Sequence, residues 1–258
     1  MLNQQTLAIL NELRLSGMAE AFVRQCSDHT FSDMAFEDRF GLLVDAELAA
    51  RNSRRLKRLE KLARLKFKAP PEDTNYRHDR GLDKRIMQSL YQLAWIDNGQ
   101  HVIFTGPTGC GKTWLACALA VATLRRNLAA RYCPLFELLE EINIARHDGS
   151  LKDLRAELHK VRVLILDDWG LSPLETNRQR QDLFDVIDNH LGRGSLVITA
   201  QMPIEKWHEW IGEPTIADAI VDRLANGAHW VKLHGESMRN PQAKTRGGSG
   251  TPVPSASR

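Results

Sequence analysis

From Thr6 to about Lys68 the apolar residues recur every three or four positions, as in Leu7, Leu10 and Leu13 and again in Phe36, Phe40 and Leu43, with no proline between them. That period puts them on one side of successive helices, so this region is expected to be helical. Pro70 and Pro71 in "KAPPEDTNY" end the pattern, because the residue before a proline is pushed away from helix, and residues 69–77 are expected to be a linker. Short apolar runs then alternate with helical stretches. "HVIFTG" leads into a helix from Lys112 to about Asn127; "ARYC" precedes helices through "LFELLEEINIARH" and "LKDLRAELHK"; "VRVLILDD" is followed by a helix around "RQRQDLFDVIDNHL" and then by "GSLVITA". Such alternation predicts a parallel sheet flanked by helices. Two more helices, "IEKWHEWIG" and "TIADAIVDRLA", and a last strand, "HWVKLH", complete residues 78–240. The remainder, 241–258, is rich in Gly, Pro and Ser and is expected to be disordered.

Composition narrows the class. A chain of 258 residues, 43% apolar and 26% charged, can bury one α/β core and still carry a small helical N-terminal domain over residues 1–68. Cys26, Cys110, Cys117 and Cys133 show no CxxC spacing, so reduced thiols and a cytoplasmic location are expected. The first residues lack a basic stretch followed by an apolar core, and no apolar run approaches the roughly 18 residues that span a bilayer. No membrane partner is expected. The net charge of +3 conceals a segregation: residues 51–68 hold nine Lys/Arg against one Glu, so the rest of the chain is net negative.

The chemistry begins in "GPTGCGKTW". Gly106, Gly109, Gly111, Lys112 and Thr113 fit the G-x-x-x-x-G-K-[ST] spacing at every position, between an apolar run and a helix. Such a loop turns its backbone N–H groups into one concavity facing phosphates, the following helix adds its positive end, the lysine reaches the β and γ oxygens, and the threonine ligates magnesium. Gly106, Pro107, Thr108, Gly109, Cys110, Gly111, Lys112, Thr113 and Trp114 are therefore expected to surround ATP. "VRVLILDDWG" supplies the other half: a buried strand ending in Asp167 brings a carboxylate to the metal beside Thr113, and Asp168 is placed either to orient water on the γ-phosphate or only to cap the loop. Asp167 to Gly170 also fits the D-x-x-G switch of GTP-binding proteins, but no N-K-x-D base-reading motif exists in the chain. No arginine-rich acceptor segment of a nucleotide kinase follows the loop, and ATP hydrolysis is favoured. "GSLVITAQMP" suits a strand inserted between the two phosphate-handling strands, with Thr199 or Gln201 sensing the γ-phosphate, or with both merely closing a core strand. Arg223 lies on the polar side of a helix whose stripe is Ile216, Ile220 and Leu224; it could complete a neighbouring subunit's site or simply be solvated.

These motifs, with "IVDRL", "LHGESMR" and "FGLLVDAELAARNSRRLKRLEKLARLK", resemble the IstB-like transposition helper ATPases of bacterial insertion sequences, over roughly residues 5–240. The resemblance implies an AAA+ P-loop core near the helicase loader DnaC. It also implies an ATPase that assembles on duplex DNA in the ATP state, deforms it, and recruits a partner transposase. By the same resemblance Lys112, Thr113, Asp167 and Asp168 handle ATP and Mg2+, Arg223 looks like an arginine finger at sites shared within a homo-oligomer, and Arg239 is a second sensor. After Arg223 only about 35 residues remain, too few for the full helical lid of the AAA+ class, so a truncated lid and low activity of the free monomer are expected.

On a helix, Leu56, Leu59 and Ala63 form one apolar stripe, and Arg51, Arg54, Arg55, Lys57, Arg58, Lys61, Arg64, Lys66 and Lys68 form a basic surface suited to phosphates without base reading. A solvated helix or a coiled dimerisation helix would carry the same pattern. No zinc-finger spacing or recognition helix is evident, so duplex binding is expected to be largely sequence-neutral. The alternative function is a DnaC-like helicase loader with a single-strand preference, but only Phe67 and Tyr76 lie near the basic run as stacking aromatics.

Overall fold

The structure is a computed structural model that describes residues 2–76 and 79–238; Arg239 and the tail lie outside the described residues. The chain divides into two compact units, with the break between Lys61 and Leu62.

In the first unit, α1 (Leu2–Glu12), α2 (Ser16–Ser27) and the long α3 (Phe36–Ala63), which runs across the break, provide the expected helices. The start of α2 has no side-chain cap of its own. Its orphan N–H groups are instead met from α3: Gly17 and Met18 donate to Glu47 Oε2 at 2.8 and 3.2 Å. The same buried carboxylate accepts from Arg51 and Arg54. Gly17 permits the close approach, because a Cβ there would stand 2.6 Å from the Ala46 carbonyl oxygen.

The second unit is built on a parallel five-stranded sheet in the order β2-β3-β4-β1-β5. The strands are β1 (His101–Thr105), β2 (Ala130–Pro134), β3 (Val163–Trp169), β4 (Ser195–Ala200) and β5 (Ala228–Lys232). β4, the run "GSLVITA", lies between β1 and β3 as its apolar character suggested. All six of its residues are buried, as expected of a central strand covered on both faces. Helices α6 (Lys112–Arg125), α7 (Leu135–Asp148), α8 (Leu151–His159), α9 (Asn177–His190), α10 (Trp207–Ile211) and α11 (Pro214–Ala225) cover the sheet, and α4 (Lys84–Tyr91) and α5 (Ala94–Asp97) precede it. The start of α9 is fixed by a capping box between Thr176 and Gln179. Among the described residues no helix follows β5.

Two expectations change. The basic helix ends at Ala63, where Arg64 takes a left-handed conformation (φ 49°), so Lys66 and Lys68 are not on it. The proline segment is not a free linker. Ala69 is fully buried, Pro71–Asp73 form a 3₁₀ turn, and the Thr74 and Tyr91 hydroxyls lie 2.7 Å apart in a hydrogen bond, all within the second unit.

Candidate nucleotide-binding site

The carboxyl ends of β1, β3 and β4 open on one cleft, the position at which parallel sheets bind ligands. The loop between β1 and α6 forms its floor, with Gly106, Gly109 and Gly111 all at positive φ. Gly111 is obligatory on two counts: its φ is 94°, and a Cβ would stand 2.3 Å from the Arg80 guanidinium. The α6 N-terminus follows at once, directing its partial positive charge into the loop. Lys112, buried at 8% exposure, donates from Nζ to the carbonyls of Gly106 and Pro107, 2.8 Å each. The cleft has a volume of about 430 Å³, and Thr108, Lys112, Thr113, Trp114, Asp168 and Gln201 are among its walls.

Opposite the loop, Asp167 is completely buried yet fully bonded. Thr113 Oγ1 donates to its Oδ1 at 2.8 Å, Thr199 Oγ1 donates to the same oxygen, and Tyr132 OH donates to Oδ2 at 2.6 Å. Burial, and then the bond to Asp167, push the Tyr132 hydroxyl far above the usual phenol range, so it stays protonated as a donor. Asp168 reaches the cleft through a bulge. β3 and β4 are in register at Leu166–Ile198 and again at Trp169–Ala200, so two aspartates stand opposite the single Thr199. Adjacent side chains of a regular strand point to opposite faces; the extra residue, with Asp168 at φ 58°, re-aims this carboxylate. Its N–H donates to Thr199 Oγ1 at 3.2 Å. Thr199 is thus wedged between the two aspartates, whereas Gln201 Oε1 accepts from Thr108 Oγ1 at 2.7 Å at the mouth of the loop.

Not every expected residue reaches the cleft. Cys110 contributes its carbonyl to Arg80 at 2.9 Å, and its thiol is buried. Arg223 is not among the cleft walls; its Nε pairs with Asp188 at 3.0 Å and its guanidinium lies 4.9 Å from the Phe184 ring centroid. Arg239 lies outside the described residues. Lys66, read as part of the basic helix, instead brings Nζ to 3.7 Å from Asp167 Oδ2.

Sequence reasoning missed Tyr132, Arg80 and the backing of the loop. Arg80 is buried at 3% exposure and ties the loop carbonyl of Cys110 to Asn75 O and Met238 Sδ. The run "LHGESM" lies along the loop, with Leu233 N–H bonded to Thr105 O and Met238 N–H to Gly109 O. The only signal for this was the position of "LHGESMR" just after the last strand.

The comparisons agree with this geometry. The profile of the IstB-like ATP binding protein family matches residues 8–246. An insertion sequence ATP-binding protein of Sinorhizobium fredii is 41% identical over 244 residues, 95% of this chain and 99% of that protein. The ATP-binding protein of insertion sequence IS1162 from Pseudomonas fluorescens is 45% identical over 204 residues, 79% of this chain and 88% of that one. In fold, the chain resembles the DnaC helicase loader (TM-score 0.53, 16% identity, 65% of this chain and 97% of that one). It likewise resembles the replication initiator DnaA bound to AMPPCP and single-stranded DNA (TM-score 0.53, 16% identity, 67% and 52%). The chain belongs to the family of IstB-like ATP binding proteins and is a P-loop ATPase, with the fold of the DnaC and DnaA ATPase domains.

Proposed function

We propose that this protein is the regulatory ATPase of an insertion sequence. With ATP bound it assembles on duplex DNA, deforms the duplex and recruits its partner transposase; hydrolysis resets the assembly. The observation that carries this reading is the union, in one chain, of a complete phosphate cradle with a separate helical unit whose α3 exposes Arg55, Lys57, Arg58 and Lys61 to solvent. Relatives that carry insertion-sequence names support the transposition setting.

The residues fit magnesium and a triphosphate. Thr113 Oγ1 and Asp167 Oδ1 lie 2.8 Å apart, a hard oxygen pair suited to Mg2+, beside a cleft of about 430 Å³ that Lys112, Thr113 and Asp168 line. When bound, the metal supplies charge neutralisation on the β and γ oxygens. In our reading Lys112 exchanges its loop carbonyls for phosphate oxygens, Thr113 and Asp167 hold the metal, and Asp168 orients the attacking water. Gln201, at the loop mouth, senses the γ-phosphate, and Thr199 positions both aspartates. Arg223, held here by Asp188 and Phe184 of α9 and the Ala219 carbonyl, would complete a neighbouring subunit's site after release from Asp188, a role that its place in the "IVDRL" segment suggests. Arg51 and Arg54 are partly engaged by Glu47, so the exposed cations farther along α3 carry most of the phosphate contact.

The test is product analysis with γ-labelled ATP. The account expects free phosphate and ADP, slow release by the dilute protein alone, and stimulation by duplex DNA. Equal turnover at all dilutions without DNA, or label transferred to an acceptor, would contradict it. Stimulation by single strands alone would instead point to a helicase-loader role.

A further inference from the structure

The two oxygens of Asp167 keep different company. Oδ1 faces the hydroxyls of Thr113 and Thr199; Oδ2 faces the Tyr132 hydroxyl and, at 3.7 Å, the Lys66 ammonium. Three of these four partners are neutral and belong to the sheet or to α6. Lys66 alone carries charge, and it comes from the irregular stretch between α3 and the proline turn. A carboxylate taken fully out of water is costly without a cation, so the ammonium meets a need that the hydroxyls do not.

The stretch is pinned on both sides of Lys66. Arg64 ends the helix in a left-handed turn, and Ala69 is fully buried. The Lys66 side chain is 42% exposed, so it can leave Asp167 for solvent while the backbone stays in place.

We propose that Lys66 is the resident counter-ion of the metal-binding carboxylate: it neutralises Asp167 when no divalent cation is present and is displaced when Mg·ATP binds. This rests on the reading of Thr113 and Asp167 as the metal site. An ammonium at Oδ2 and a divalent ion at Oδ1 of one carboxylate repel each other, so each lowers the occupancy of the other. Lys66 therefore acts as a positioning residue that sets the threshold for loading, and it is withdrawn from the DNA-contacting set.

The test is titration of the full chain with a fluorescent ATP analogue, in Mg2+ and in EDTA, for the wild type, Lys66→Ala, Lys66→Arg and Lys112→Ala. The ratio of affinity in Mg2+ to affinity in EDTA is expected to rise about two- to fivefold in Lys66→Ala, the scale of one partly exposed ion pair, and to stay near wild type in Lys66→Arg. An unchanged or lower ratio in Lys66→Ala, as for a lysine that merely touches phosphate, would overturn the proposal. Wild-type binding that Lys112→Ala fails to abolish would overturn the site reading and the counter-ion with it, whereas Lys112-dependent binding with an unmoved ratio would overturn the counter-ion alone.

Discussion

The two units use their apolar residues in opposite ways. In the ATPase unit β3 and β4 are buried almost throughout, and Trp169, Trp207 and Phe104 are among its largest fully enclosed side chains. In the helical unit Phe36, Phe40, Val44 and Leu48 follow one another at four-residue spacing along α3 and remain 43–75% exposed. A closed core holds catalytic groups at fixed distances, whereas a thin bundle with apolar side chains still in water retains surface for partners. Under the proposed function, the contrast corresponds to a part that does chemistry and a part that makes contacts.

The largest expected effect lies in the closed unit. Lys112→Ala removes the cation that faces the phosphates and is expected to abolish measurable nucleotide binding, while duplex binding at low salt persists; nucleotide titration alongside a DNA shift assay checks both halves. Asp168→Asn sharpens the point within the site. It should lower kcat on the order of 100-fold with KM little changed, because water orientation matters only in the transition state. In the helical unit, replacing Lys57, Arg58 and Lys61 together with Ala should flatten the slope of log K against log salt by about 3, at roughly 0.9 per phosphate contact, and leave unstimulated turnover intact. An unaltered slope would remove α3 from the DNA interface.

Smaller effects test whether the units are independent. Gly17→Leu drives a side chain into the Ala46 carbonyl and should destabilise the helical unit by about 1–3 kcal/mol. All six tryptophans lie beyond residue 61, so tryptophan fluorescence should melt as in the wild type while the helical signal gains an earlier phase. Acid should do the reverse. Burial pushes the His190 imidazole down to about 4, and its Nε2 lies 3.2 Å from the Ser195 carbonyl. Above about pH 6.5 neither state binds this proton and stability is full; between there and about 4 only the unfolded chain takes it up, so stability falls by about 3 kcal/mol as the pH drops. His190→Asn should flatten that slope in the tryptophan signal.

What could be read from sequence was whatever is encoded locally. The phosphate loop is contiguous, and its glycines are required by backbone geometry; "VLILDD" announces a buried strand by composition alone. Asp168 was legible as a residue but not as a geometry, because nothing in an Asp-Asp pair signals that Thr199 opposes both. Tyr132 looked like one more apolar position in "ARYC", since its partner lies 35 positions away. Arg80 sits in a charged, irregular stretch that reads as surface, and its burial depends on the loop and on Met238. Lys66 was misassigned for a local reason: the helical period runs on past Ala63, and the stop at Arg64 lacks the glycine that usually marks one.

The central claim is that the closed unit's nucleotide state governs what the helical unit does on DNA. Sedimentation velocity tests it most directly, with duplex and single-stranded DNA, each with ATP and with ADP, for the wild type and Lys112→Ala. Large complexes on duplex only with ATP, absent in the variant, are the predicted result; small species of the same size under every nucleotide condition, or a preference for single strands, would contradict it.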